Sequence, residues 1–201
     1  MTHTAASAST ADHHPIGLVV DDDLRRNRLT VFFRILLAIP QFIWLYFFGI
    51  VAAFALLIAW FAALFTGRVP EGLHDFLARY QRCTTHVNAY VLLLADPWPP
   101  FAGSPGTYPV DLRVDPPESQ SRLTVFFRGL LAIPALLLAY IFRAVNVLVA
   151  FLGWFYCLAF GRMHQGMRDL SAWMFQFEMQ TYGYLFLLTG RYPSFSGGPR
   201  A

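Results

Sequence analysis

The sequence predicts an all-α integral membrane protein made of two tandem repeats. Each repeat is expected to form a transmembrane helical hairpin and an amphipathic interfacial helix, with a short juxtamembrane β-strand ahead of them. Three observations carry this. Hydrophobic residues make up 56% of the chain and charged residues 13%, about half the charged share of an average soluble domain. Two apolar blocks exceed the roughly 20 residues needed to cross a hydrocarbon core. And one phrase is written twice: Arg28-Leu-Thr-Val-Phe-Phe-Arg34 with Leu36-Leu-Ala-Ile-Pro40 returns as Arg122–Arg128 with Leu130–Pro134. The offset is 122 − 28 = 94 residues and holds without a gap from Pro15/Pro109 to Phe101/Phe195, with about 32 identities in 87 aligned positions, long enough to set the architecture.

The boundaries follow from the repeat. Residues 1–14 are a disordered tail, 15–101 the first repeat, 102–108 a Gly, Ser and Pro linker, 109–195 the second repeat and 196–201 a short free tail. The tail has no basic start and no apolar core, so it is not a secretory signal. Its His3, His13 and His14 are ordinary solvated side chains rather than a metal site.

Pro15–Asp21 and Pro109–Asp115 open with proline and close on acid; Leu112, Arg113, Val114 and Asp115 alternate apolar and polar, a strand period. Their matched register suggests that they pair with each other or cap one surface, although a two-stranded ribbon needs outside support. Asp21, Asp22 and Asp23 are expected at a helix start, where carboxylates meet the positive end of the dipole, with Arg25, Arg26 and Arg28 anchoring the next helix.

The block from Leu29 to Thr66 is too long for one span and suits two. Arg143 and Asn146 interrupt the matching block of repeat two. A charge in mid-bilayer costs several kcal/mol, so this point is expected at the far surface, as the turn of a hairpin: helices over 29–47 and 51–66, and again over 123–141 and 145–160. Pro40 and Pro134 are expected to kink the first helices, Trp60-Phe61 and Trp154-Phe155 to sit in an aromatic belt. Gly67-Arg68 and Gly161-Arg162 end the blocks, Gly stopping the helix and Arg returning to the headgroups. The third segments, from Glu71 and from Gln165, carry apolar residues spaced by three and four, the mark of an amphipathic helix, expected along the interface; a third crossing is the alternative. The arginines matched between repeats favour parallel repeats and an even number of crossings, four spans in all.

At Arg28–Pro40, Phe65-Thr-Gly-Arg68, Pro70-Glu-Gly-Leu-His-Asp75 and Pro99-Pro-Phe101 the chain resembles a bacterial membrane family, domain of unknown function 4389, over most of each repeat. Repeat two departs from it at Met163-His-Gln165 and Arg168. The resemblance implies a bacterial membrane origin and the two-unit plan, and it implies no activity, cofactor or catalytic residue.

All fifteen basic residues are Arg and the formal charge is +3. They bracket apolar segments instead of forming a patch on a soluble fold, so the expected partners are membrane lipids and other membrane protein subunits, not nucleic acid. Cys83 and Cys157 do not match in the repeat and read as buried free thiols. No phosphate loop, zinc-protease helix or nucleophile elbow is present, so no catalytic residue, cofactor or metal is expected; Cys83 and His86 are neighbours on a helix, but His74 lies about three turns away. The candidate site residues are those shared between repeats: Arg28, Arg34, Arg68 and Asp75, with Arg122, Arg128, Arg162 and Asp169. They are candidates for lipid headgroups or for ion pairs, Asp75 and Asp169 being expected to pair with Arg68 and Arg162, or with Arg34 and Arg128. The expected function is a non-enzymatic scaffold or accessory subunit of a larger complex in the bacterial cytoplasmic membrane, multi-pass, touching anionic lipid through Arg. The alternative is a small transporter or channel whose polar third segments line the path.

Overall fold

A computed structural model describes residues 14–195 and 198; all but His14 of the first tail, and nearly all of the second, lie outside them. The elements run β1 (Ile16–Val20), α1 (Arg28–Thr66), α2 (Glu71–Val91), β2 (Val110–Val114), α3 (Arg122–Phe126), α4 (Arg128–Phe160) and α5 (Gln165–Leu185). The sequence repeat is a structural repeat, with an approximate two-fold axis relating the halves. β1 pairs antiparallel with β2 as expected, and Leu18 sits opposite Leu112, its own repeat mate at the 94-residue offset, so the axis passes through that pair. Leu18 and Leu112 turn into the main core with Leu77 from α2 and Phe175 and Met179 from α5, which supplies the support a two-stranded ribbon lacks.

The hairpins are not formed. α1 is one helix of 39 residues through position 49, and α4 one of 33 residues through Arg143. The reason lies in the partners of the polar residues that had marked the turn. Arg143 donates to Glu178 of α5 at 3.2 Å and to the Asn88 side-chain oxygen of α2 at 2.6 Å, and Asn146 donates to the Ser171 carbonyl at 3.2 Å. A polar group met by protein partners has no need of a membrane surface, and with no break required the apolar run stays helical. Pro40 and Pro134 lie inside α1 and α4. In repeat two the opening is split at Phe127, between α3 and α4, next to Gly129 where repeat one has Ile35; Gly is the poorer helix former. The far ends behave as expected: Gly67 (φ 76°) and Gly161 (φ 68°) take the left-handed conformation that only glycine enters without strain.

The acidic run is not a first turn either. Asn27 caps α1 by accepting from the Leu29 N–H, with no acid in the first turn. The third segments are also placed differently from the expectation. α2 and α5 do not lie beneath hairpins; they pack between the long helices and the ribbon, and positions 174–181 of α5 are buried all round. Gln81 donates to the Met179 carbonyl at 3.4 Å across the axis, so the two helices meet each other in the centre.

α1 and α4 run head to tail. Trp154, near the end of α4, donates to the Val31 carbonyl near the start of α1 at 2.9 Å. Its mate Trp60 donates to the Val125 carbonyl at 3.1 Å. Both long helices are built with small side chains inward and large ones outward. The buried stripe of α1 includes Ala38, Ala52, Ala55, Ala59 and Ala63, while Phe32, Ile35, Phe42, Phe47, Phe54, Ile58 and Phe65 are exposed. Both are long and apolar enough to cross a membrane, and only 22% and 17% of their most apolar windows are buried in the protein.

Candidate functional site: two arginines at the ends of the inner helices

Each inner helix ends the same way. α2 stops at Leu92, and Leu93 follows with φ 62°; α5 stops at Phe186, and Leu187 follows with φ 63°. The Leu94 N–H returns to the Ala89 carbonyl at 2.9 Å and the Leu188 N–H to the Gly183 carbonyl at 3.0 Å, the double-bonded helix end in which glycine usually takes the left-handed place. Leucine there costs roughly 1–2 kcal/mol, and both leucines are buried to 1% exposure, so side-chain burial offsets the backbone strain.

Into these ends reach Arg34 and Arg128, one from each long helix. The Arg34 Nη1 donates to the carbonyls of Tyr90 (2.5 Å) and Ala95 (3.0 Å). The Arg128 Nη1 donates to those of Tyr184 (2.7 Å) and Thr189 (3.1 Å). Each guanidinium also lies 4.4 Å from the ring centre of the same tyrosine, a cation–π stack. Free carbonyls at a helix C-terminus form the negative pole of its dipole, so each arginine bolts a long helix to the C-terminal end of an inner one. The residues eight positions before each arginine bridge to the same helix ends: Arg26 donates to the Leu93 carbonyl through Nε (3.1 Å) and Nη2 (2.8 Å), and Gln120 to that of Leu187 at 2.9 Å.

The halves part company in charge. In repeat one, Arg34 Nη2 meets Asp96 at 2.9 Å, and Arg26 forms a bidentate pair with Asp22 at 2.9 and 2.6 Å; two cations face two carboxylates. In repeat two the places of Asp22, Arg26 and Asp96 hold Pro116, Gln120 and Gly190. Arg128 Nη2 donates to the neutral Gln120 side-chain oxygen at 2.6 Å, and no carboxylate among the described residues pairs with it. The side chains of both Arg34 and Arg128 are nearly inaccessible, at 2% and 3% exposure of the residues, and the Nε of each lacks an acceptor.

The eight residues expected from the sequence therefore separate. Arg34 and Arg128 form the site. Arg28, Arg68, Arg122 and Arg162 are exposed at the ends of the long helices, where Arg28 donates to the Ala159 carbonyl of the last turn of α4 at 2.9 Å. Asp75 and Asp169 pair with none of these arginines. Asp75 is mostly exposed and stands 3.9 Å from His74, and Asp169 forms an ion pair with its neighbour Arg168 at 2.8 Å. The counter-ion of Arg34 comes instead from the segment after α2, because the arginine meets the C-terminal end of that helix while Asp75 lies near its start. Tyr90/Tyr184 and Leu93/Leu187 belong to the site without being among those eight, and their identity between repeats is the signal that marks them in the sequence.

A second polar pair lies on the ribbon side. The His86 Nε2 is 2.9 Å from the Asp111 carboxylate. Burial pulls the Asp111 carboxyl upward, but the His86 bond and the backbone N–H groups of Gly106 and Leu112 outweigh it and hold the group below the usual carboxylate range. Among the described residues no group of three His, Cys, Asp or Glu side chains is placed to hold a metal, and Cys83 and Cys157 are free and buried.

The chain matches the family described as a domain of unknown function (DUF4389) over residues 28–103 and again over residues 122–197. It belongs to that family. Both DUF4389 copies begin at the first arginine of the repeated phrase and take in the arginine, the tyrosine and the left-handed leucine of their own site. No curated protein and no solved structure matches the chain.

Proposed function

We propose that the protein is a non-enzymatic scaffold or accessory subunit embedded in the bacterial cytoplasmic membrane through α1 and α4, meeting anionic lipid through arginine. The observation that carries this is the outward apolar face of both long helices. A core helix of a soluble protein is mostly buried, and these are mostly exposed. Soluble monomers rarely show contiguous apolar patches above a few hundred Å², whereas Phe, Ile, Leu and Trp line α1 from Leu29 to Phe65. A cleavable leader would account for α1 alone, and α4 repeats the pattern in the second half. Small residues at the helix contacts and large ones outside is the packing of helices in lipid. With each long helix unbroken, they supply at most two crossings, so the multi-pass reading narrows to a pair. Arg28 with Arg162 at one end, and Arg68 with Arg122 at the other, are placed for headgroup phosphates.

The accessory role is supported by how little chemistry the interior offers: its buried polar side chains serve helix ends and inter-helix bonds. The transporter alternative would draw on α2 and α5, but Arg143, Glu178, Asn88 and Asn146 are engaged with one another and with Ser171. The test is flotation with lipid vesicles and extraction at alkaline pH, followed by mass spectrometry of proteins that co-purify from the source membrane in mild detergent. The chain is expected to float, to resist extraction and to bring a stoichiometric protein partner. Recovery in the soluble fraction would overturn membrane embedding; a purified chain that comes alone and conducts a solute would overturn the accessory role.

A further inference from the structure

Arg128 is a buried cation with no carboxylate partner among the described residues. It forms part of the wall of a cleft of about 400 Å³. The other walls include Ala53, Leu56, Leu57 and Trp60 of α1 and Leu185 at the end of α5. Leu57 is itself exposed on the outer apolar surface, so the cleft is continuous with the face assigned above to lipid. Arg128 is the one charged residue in the lining of an otherwise apolar cleft, a composition that fits an amphiphile with an anionic head. A buried guanidinium is costly when unpaired. Helix-end carbonyls and Gln120 offset part of that cost through Nη1 and Nη2, and Nε has no acceptor.

The first repeat shows what is missing. There the same arginine, on the same carbonyls, over the same tyrosine, takes a carboxylate from Asp96. At the matching place stands Gly190, where a Cβ would have only ordinary contact, with the Gln120 Cγ at 3.6 Å, and where φ is not positive. The space and backbone would accept an acid, and none of the described residues supplies one.

We propose that the Arg128 cleft binds the anionic headgroup of a membrane phospholipid, which takes in repeat two the place that Asp96 takes in repeat one, while an acyl chain runs along the apolar wall of α1. The inference rests on the membrane reading above and adds a site to it. Arg34, already neutralised from within, is not a second such site.

The test uses the full chain in non-ionic detergent micelles, with phosphatidylglycerol as probe and phosphatidylcholine of the same acyl chains as reference, scored by native mass spectrometry. The wild type is expected to retain one phosphatidylglycerol in preference to phosphatidylcholine. Gly190→Asp, which builds the internal counter-ion, is expected to weaken that preference about tenfold, the size of one charged hydrogen bond, and to float with neutral vesicles as the wild type does. Gln120→Glu places a carboxylate on Arg128 with almost no change of shape; it decides the question if Gly190→Asp fails to fold. An equal preference in the wild type and the folded variants would overturn the site. So would competition by soluble glycerol phosphate as effective as by the lipid. A wild type that floats but shows no phosphatidylglycerol preference overturns the site alone; one that does not float at all overturns the membrane reading with it.

Discussion

The ends of α2 and α5 are the same device built twice with different charge. In both, an arginine of the long helix stacks at 4.4 Å on a tyrosine and donates to two free carbonyls. Around Arg34 the chain adds Asp96, and around Arg26 it adds Asp22; around Arg128 it adds a neutral amide. The geometry common to both is the part that joins helices. The charge balance, which differs, is free to serve something else. A duplicated unit thus separates a structural role from a divergent one inside a single chain.

The comparison breaks most sharply at the arginines themselves. Arg34→Met leaves Asp96 without its cation as well as two carbonyls without donors, and is expected to destabilise by about 3–5 kcal/mol, the usual cost of breaking a buried pair. Arg128→Met leaves carbonyls and an amide but no orphaned charge, and about 1–3 kcal/mol is expected. Thermal unfolding in the same detergent compares the two; equal losses would mean that Asp96 contributes nothing beyond its shape. The tryptophan pair sharpens the comparison from the other side, because there the halves agree. Trp60→Phe and Trp154→Phe each remove one indole bond to a backbone carbonyl, and each is expected to cost about 1 kcal/mol. A clear difference between them would mean that the two-fold relation of α1 and α4 is not kept in solution.

The smallest effect concerns a feature of one half only. Asp111 has Gly17 as its mate, and its carboxyl is held low by His86 and two backbone N–H groups against the pull of burial. An ionised carboxylate only accepts, so the His86 Nε2 carries the proton in this bond. A lowered carboxyl contributes stability that is complete above the ordinary Asp value of about 3.9 and fades as pH falls through the folded one. Asp111→Asn is therefore expected to lower the unfolding temperature at neutral pH and to change it little in strong acid. A gap between wild type and variant that stayed constant down to low pH would count against that pairing.

How much of this was legible in the sequence depends on where the deciding partner lies. The repeat, the glycine stops and the pairing of the two strands are local or self-similar signals, and the structure has all three. The hairpins failed because Arg143 is explained by residues 55 and 35 positions away, Asn88 and Glu178, and a charge in an apolar run marks a surface only when no distant partner comes to it. Arg34 stands out in the sequence as a charge inside an apolar block, but its acid is Asp96 and not Asp75, since nothing local says that the arginine meets the end of α2 and not its start. Leu93 and Leu187 lay hidden for a different reason: leucine is a poor marker of a left-handed turn, and only its burial makes it tolerable there.

The unbroken course of α1 has one more consequence. At 1.5 Å per residue its 39 residues measure about 58 Å, against a hydrocarbon layer of about 30 Å. An upright helix of that length would leave much of its aromatic surface in water, so within a bilayer α1 must recline. In a bilayer a reclining pair of such helices would cover an area of leaflet out of proportion to a chain of 201 residues, and the lateral pressure and thickness of the surrounding lipid would act on the protein along its whole length.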